Sequence, residues 1–265
     1  MIVVDGAVDL PPEAAGAADA EVRSVSGDVY VDGLPFHGTP QQFWSKVRHG
    51  CPVATTAPTV SRLLQAFEAS LPVVAVHVSG ALSQTVSRAR EAAQRLAGPA
   101  VVVDSGSLSV GAGLVATEAR RLLAGPATFA AAAAAVPGVT ERLHTFAVVA
   151  DSAWLVRSGR AGIVPRHASM RRPMVLAVRG RALLLDQPRD RHRAVAQLAE
   201  RARHHAAGVG ARWALGHGDL ADVEAQAAAL AASLGGPPEF LVAMNPTVGA
   251  HLGPDALVLA VLDGA

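Results

Sequence analysis

The chain carries a series of short valine-rich runs, Ile2–Asp5, Val73–Val78 and Val101–Asp104, each closing on small or polar residues. Unbroken β-branched runs of this length suit strands buried on both faces, the condition of a parallel sheet. Parallel neighbours need crossovers, and the intervening segments have helical spacing. Ser61–Ser70 puts Leu63, Leu64 and Phe67 on one face, and Ser83–Leu96, Gly113–Leu123 and Ala127–Val136 read as further helices. The run Ala130–Ala135 reflects helix propensity and needs no functional reading. The class is therefore α/β, with an N-terminal parallel sheet and flanking helices over residues 1–140.

Pro137-Gly138 is expected to break the alanine helix, which sets the domain boundary near Val136–Arg142. A second α/β domain, with a mixed sheet, is expected over residues 141–265. Its strands read as Phe146–Ala150, Met174–Val178, Ala182–Leu185, Trp213–Gly216, Phe240–Met244 and Leu257–Leu262, and its helices as Leu198–Ala207 and Val223–Leu234. Arg179-Gly180-Arg181 predicts a tight hairpin turn between the second and third of these strands.

Composition narrows the class of protein. With 265 residues, 51% hydrophobic and 17% charged, the chain is long and apolar enough for substantial cores and is not a disordered sequence. Its single cysteine, Cys51, forms no internal disulfide. Met-Ile-Val-Val-Asp lacks the basic and apolar regions of a secretion signal, and no uncharged apolar stretch reaches membrane-spanning length, so a cytoplasmic location is expected. The net charge of +1 hides an asymmetry: Arg157–Arg203 carries 12 arginines against Asp186, Asp190 and Glu200. The balanced total argues against nucleic acid as a general partner, whereas the basic block suits one anionic partner.

The chemistry-bearing residues lie at predicted strand ends. Gly6–Pro11 follows the first strand, Thr55–Thr59 precedes a helix, and Ser79–Thr85 and Asp104–Gly113 follow the other two valine runs. Serine and threonine at helix starts are first of all N-caps. Several such loops at one sheet edge, beside helix N-termini, also make a donor-rich cradle for a carboxylate or phosphate. His251, among Gly249, Gly253 and Pro254, reads as a loop histidine that ligand or backbone can approach closely.

Other chemistries fit less well. Gly111-x-Gly113-x-x-Ala116 has the letters of a dinucleotide fingerprint, but Gly111 stands seven residues after Asp104 and no acid follows at the ribose position. Lys46 is the only lysine, so no phosphate-loop lysine exists. The ten histidines show no metal-ligand spacing, and adjacent His204-His205 reads as a solvated helix edge, so no metal and no cofactor are expected. A Ser/His-dependent acyl hydrolase or transferase using Ser79 or Ser83 with His251 is the enzymatic alternative, although the Gly-x-Ser-x-Gly elbow is missing.

Taken in order, six segments resemble the motifs of the DegV family of fatty-acid-binding proteins, which includes the lipid-carrying subunits of bacterial fatty acid kinase. Asp5–Pro11 (DGAVDLP) is similar to T-D-S-x-x-D-L-P, Thr55–Thr59 (TTAPT) to T-S-Q-P-S, and Ser79–Thr85 (SGALSQT) to S-S-x-L-S-G-T. Asp104–Gly113 (DSGSLSVGAG) is similar to D-S-x-x-x-S-x-G-x-G, Leu155–Gly162 (LVRSGRAG) to L-x-x-G-G-R-I-G, and Gly249–Leu257 (GAHLGPDAL) to G-x-H-x-G-P-G-A-L. The resemblance implies two α/β domains with a long-chain fatty acid in a tunnel between them. It implies a carrier rather than an enzyme, presenting the acid to a separate fatty acid kinase. The carboxylate would be held by Thr55, Ser79 or Ser83, and His251, with Thr56, Gln84, Thr85 and Gly249 as pocket neighbours. Arg160 and Arg191 map onto arginines associated with kinase docking. Departures from the motifs are Ala57, Gly80, Gln84, Ser158 and Asp255. Asp255 would bring an acid near the head group, which disfavours an ionised ligand unless that acid is neutralised or turned away.

Overall fold

The computed structural model describes residues 1–15, 22–157 and 172–264. The three valine runs are strands of one parallel sheet. β1 (Ile2–Asp5) leads through a short helix α1 (Pro12–Ala15) to an edge strand β2 (Val22–Val25). A small antiparallel sheet follows, built from β3 (Val29–Val31), β4 (Leu34–Pro35) and, after helix α2 (Pro40–Arg48), β5 (Val53–Thr55). Helix α3 (Val60–Glu68), β6 (Val73–His77), helix α4 (Thr85–Ala93) and β7 (Ala100–Asp104) complete a four-stranded sheet of order β2-β1-β6-β7, parallel throughout.

Two helices, α5 (Ser109–Ala124) and α6 (Phe129–Glu141), lead to the second large sheet. It contains β8 (Leu143–Val149), which is followed by the short helix α7 (Ala153–Arg157), then the hairpin β9 (Met174–Arg179) and β10 (Arg181–Asp186). Helix α8 (Arg191–Ala206), β11 (Arg212–His217), α9 (Val223–Leu234), β12 (Phe240–Ala243), α10 (Pro246–Leu252) and β13 (Leu257–Leu262) follow. The order β10-β9-β8-β13-β11-β12 is mixed, antiparallel except between β11 and β12. The hairpin turn is as expected, with Gly180 at φ +71°.

The two-residue period of the strands assigns three cores. Ile2, Val4, Val74 and Val76 face inward, while Val3, Val73 and Ala75 pack outward with Leu63 and Phe67 of α3 and Ala89 and Ala92 of α4. Val258, Ala260 and Leu262 likewise face inward, and Leu257, Leu259 and Val261 pack outward with Leu198 of α8 and Leu230 of α9. The inner faces share one core around α5, of whose 16 residues ten are buried. Over residues 109–119 it packs on nearly every side between the two sheets, and such a segment carries no one-sided apolar stripe. Its glycines follow from that packing. A Cβ on Gly113 would stand 2.0 Å from the Asp9 carbonyl oxygen, and one on Gly111 2.4 Å from Thr145 Oγ1. The Gly-x-Gly letters record close approach to protein, in agreement with rejecting the dinucleotide reading.

Two helices differ from the sequence expectation. Helix α6 runs through Pro137 to Glu141 instead of stopping there, because Ala132, Ala133, Val136 and Val139 form one buried face that spans the proline. Helix α8 begins at Arg191, well before Leu198. Asp190 caps it by accepting from the Arg193 N–H (2.9 Å), and the Arg-rich first turns hid its apolar face of Ala194, Val195, Leu198 and Ala202. The small sheet and α2 were not read from the sequence, although Thr39 and Gln42 form a reciprocal capping box at the start of α2. Among the described residues, no helix is long and apolar enough to cross a membrane.

Candidate functional site

The C-terminal ends of β1, β6 and β7 bring the Gly6–Pro11 loop together with two hydroxyl-rich loops, Ser79–Thr85 and Asp104–Gly113, where parallel sheets place their ligands. The third hydroxyl-rich loop, Thr55–Thr59, starts at the end of β5 in the small antiparallel sheet rather than at this sheet edge. Asp5, the last residue of β1, ties its own loop to the one after β6. Its carboxylate accepts from Ala7 N–H (2.7 Å), Val78 N–H (2.9 Å) and His77 Nδ1 (3.2 Å), with Asp5, His77 and Val78 nearly or fully out of solvent. Asp104, ending β7, accepts from the backbone of Gly80 and Gly106. The loops are fastened to the second sheet as well. Gly180 N–H donates to Gly106 carbonyl (2.7 Å), and Ser107 and Thr145 hydroxyls share a 2.8 Å bond.

Between these loops and the mixed sheet lies a cavity of about 550 Å³. Its solvent end is polar: Thr56, Gly80, Ala81 and Gln84 are exposed, with Thr55, Ser83, Arg88 and His251 just inside. Its inner wall is apolar and mostly buried, formed by Leu108, Ala147, Leu155, Leu176, Val178, Val248 and Leu252. A pocket of this size with an apolar body and a few convergent polar groups has the make-up of a small-molecule site.

The polar end joins residues far apart in sequence. Thr55 Oγ1 and His251 Nε2 share a 2.9 Å hydrogen bond, bringing β5 against α10. His251 stands in the last turn of a helix rather than in the expected loop. Asn245 starts that helix by accepting from Thr247 and Val248 N–H, Pro246 occupies its first turn, and Gly253 at φ +77° ends it. Ser83 lines the cavity and shares a 2.8 Å bond with Thr85, whereas the buried Ser79 hydroxyl lies outside the cavity wall and donates to the Gly180 carbonyl. Thr56, Gln84 and Thr85 also line the wall. Gly249 instead faces α2, where a Cβ would stand 2.6 Å from the Trp44 ring.

Arg88 is a site residue the sequence reading passed over. It donates to the carbonyls of Ala57 (2.9 Å) and Pro58 (3.1 Å) and to Gln84 Oε1 (3.2 Å), placing a guanidinium on the polar wall. Its signal was its place one helical turn after Gln84, on the same face. Asp255 sits at φ +60°, a backbone region that favours glycine, and Arg48 binds both its carboxylate (3.0 Å) and that of Asp219 (2.7 Å). The acid is thus ion-paired outside the cavity wall, and the two carboxylates in turn raise the pKa of Arg48. Arg191 reaches the Asp255 carbonyl at 3.4 Å, and Arg160 lies outside the described residues.

Asp9 joins the first loop to both α5 and α10. It accepts from Ser109 Oγ (2.7 Å), Asn245 Nδ2 (2.7 Å) and Asn245 N–H (2.9 Å). Burial dominates over these donors and pushes its carboxyl up to about 6.

Known proteins share this architecture. The model of a family described as "Uncharacterised protein, DegV family COG1307" matches residues 1–263. A DegV domain-containing protein of Mycobacterium tuberculosis is 30% identical over 277 residues, covering 100% of this chain and 98% of the relative. The structure of a DegV family protein from Thermus thermophilus, described for its fatty acid binding, superposes with a TM-score of 0.82 at 26% identity, covering 99% of each chain. A stearic-acid-binding protein from Eubacterium ventriosum has the same fold, with a TM-score of 0.88 at 20% identity over 99% of this chain and 97% of that one.

Proposed function

The chain belongs to the DegV family, and from that premise we propose that it carries a long-chain fatty acid in the cavity between its two sheets. The carboxylate sits at the solvent end against Thr55, Ser83 and His251, with the Arg88 guanidinium on the same wall. The acyl chain runs inward along Leu108, Leu155, Leu176 and Val178. The observation that carries this reading is the polarity gradient of the cavity, hydroxyls and imidazole at the mouth and buried aliphatic side chains within. Burying the chain contributes about 0.8 kcal/mol per methylene, so the tail supplies most of the affinity and the polar end sets orientation.

The two α/β units, residues 1–140 and 141–265, each supply a wall of the tunnel. A head group held at the solvent end is reachable by a second protein, which supports a carrier that hands its acid to a fatty acid kinase in the cytoplasm. The chain itself then needs no catalytic group. Recombinant protein, denatured and examined by mass spectrometry, is expected to release a long-chain free acid. Protein that emerges empty and binds no long-chain acid on titration contradicts the reading. Ester turnover by the purified chain, abolished in Ser83→Ala, would support the hydrolase instead.

A further inference from the structure

On the face of the mixed sheet turned away from the lipid cavity, three ligand-type side chains meet from three separate elements. Along β8, Thr145 and Ala147 face the inner core and Phe146 and Val148 face α8, so the strand period sends His144 to the α8 side. There its ring stacks on that of His205, from the last turn of α8, with centroids 3.5 Å apart. Asp263, directly after β13, closes the group. Its Oδ2 is 3.1 Å from His144 Nε2, while its Oδ1 is buried without a hydrogen-bond partner and stands 4.0 Å from His205 Nδ1. The Asp263 backbone is fixed, since its N–H donates to the Arg142 carbonyl and its own carbonyl accepts from the Arg142 guanidinium.

We propose that His144, His205 and Asp263 form a binding site for one divalent transition-metal ion of the zinc type. The candidate ligand atoms all lie within 4.8 Å of one another. An ion about 2.0–2.2 Å from each donor fits a gap of this kind once the donors close slightly and the His205 ring reorients. The 4.0 Å separation of Asp263 Oδ1 from His205 Nδ1 is too long for a hydrogen bond, and an ion between them gives the buried oxygen its missing partner. Two parallel rings cannot both aim in-plane lone pairs at one ion, so binding replaces the stack by a turn of His205, whose side chain is 33% exposed. The partial exposure of Asp263, 38%, leaves a side open for water to complete the shell. Two nitrogen donors and one carboxylate select zinc, cobalt or nickel over magnesium and calcium. The negative end of the α8 dipole at this terminus adds to the attraction. The bound ion would pin the end of α8 to β8 and to the chain after β13.

Tag-free full-length protein, freed of metal by a chelator, is titrated with Zn²⁺ against a chromophoric competitor, and separately with Co²⁺ and Mg²⁺. One Zn²⁺ per chain is expected, with visible Co²⁺ absorption of a nitrogen–oxygen site and no response to Mg²⁺. His205→Ala and Asp263→Asn should each weaken Zn²⁺ binding by at least about tenfold, while His204→Ala on the neighbouring exposed residue should not. On the unmutated protein, Zn²⁺ should shift the ring resonances of His144 and His205 and leave the other histidines in place. Absence of Zn²⁺ binding, or binding that both ligand variants retain, overturns the proposal.

Discussion

Single side chains in this protein divide between fastening loops and facing the cavity, and the two roles predict different phenotypes. Thr55, Ser83 and His251 face the cavity. Removing one hydrogen bond to a charged ligand group costs about 1.5–3 kcal/mol, so His251→Ala or Ser83→Ala should weaken fatty acid binding by roughly ten- to a hundredfold. Isothermal titration of delipidated protein measures this. Ser79 instead holds the β9–β10 hairpin through Gly180. Ser79→Ala should lower thermal stability and leave binding within a few-fold; the reverse pattern would mean the two serines exchange roles. Asp9 gives a pH signature. Its folded-state pKa, about 6, lies above the ordinary 3.8, so the native state holds the proton more tightly. Its contribution to stability is full below the ordinary value and lost as pH rises through about 6, a swing of about 3 kcal/mol at most. Unfolding curves of wild type and Asp9→Asn should therefore diverge in favour of wild type as pH falls from about 7 to about 4. Parallel curves would contradict the assignment.

At the scale of elements, α5 is the hinge of the architecture and its sequence conceals the fact. The valine runs of β1, β6 and β7 were legible because strands buried on both faces need no alternation, and β13 was legible for the same reason. The position of α5 was not, because a helix packed on every side loses the periodic stripe that would locate its partners. His251 illustrates a second limit: with Gly and Pro around it the local pattern reads as a loop, and only the Asn245 cap and Pro246 start the helix. The Ser79 and Asp104 loops could be placed at one sheet edge, but Thr55 ends a strand of the separate small sheet, and its bond to His251 spans 196 residues and depends on tertiary packing. The His144–His205–Asp263 group escaped for that reason too, since its members share no spacing in sequence. Gly113→Ala tests the placement of α5. Alanine favours a helix over glycine by about 1 kcal/mol, but the added Cβ would meet the Asp9 carbonyl oxygen at 2.0 Å. Urea unfolding should show a net loss of about 1–3 kcal/mol; a stabilised variant would mean α5 does not approach β1's loop so closely. An ion-pair ring also locks this helix: Arg212 and Arg121 each bind Glu118 and Glu239, joining α5 to β11 and to the residue before β12.

For the whole molecule, the two sheets enclose α5 on one stretch of their facing surfaces and the cavity on another, so the high apolar content serves both a core and a cavity wall. Tail burial then makes affinity depend on chain length, rising about fourfold per added methylene until the inner wall is reached. A series of saturated acids measured by displacement should show that rise and then a plateau, and equal affinity across the series would contradict a buried tail. Saturating acid should also raise the melting temperature, by an amount equivalent to about 2.7 kcal/mol at one hundred times Kd. The most direct test is a crystal structure of the protein with a long-chain acid bound. Continuous density is expected from the mouth to Leu176 and Val178, with carboxylate oxygens within hydrogen-bond distance of Thr55, Ser83 and His251. An acid bound with its carboxylate at the inner end, or outside this cavity altogether, would contradict this placement.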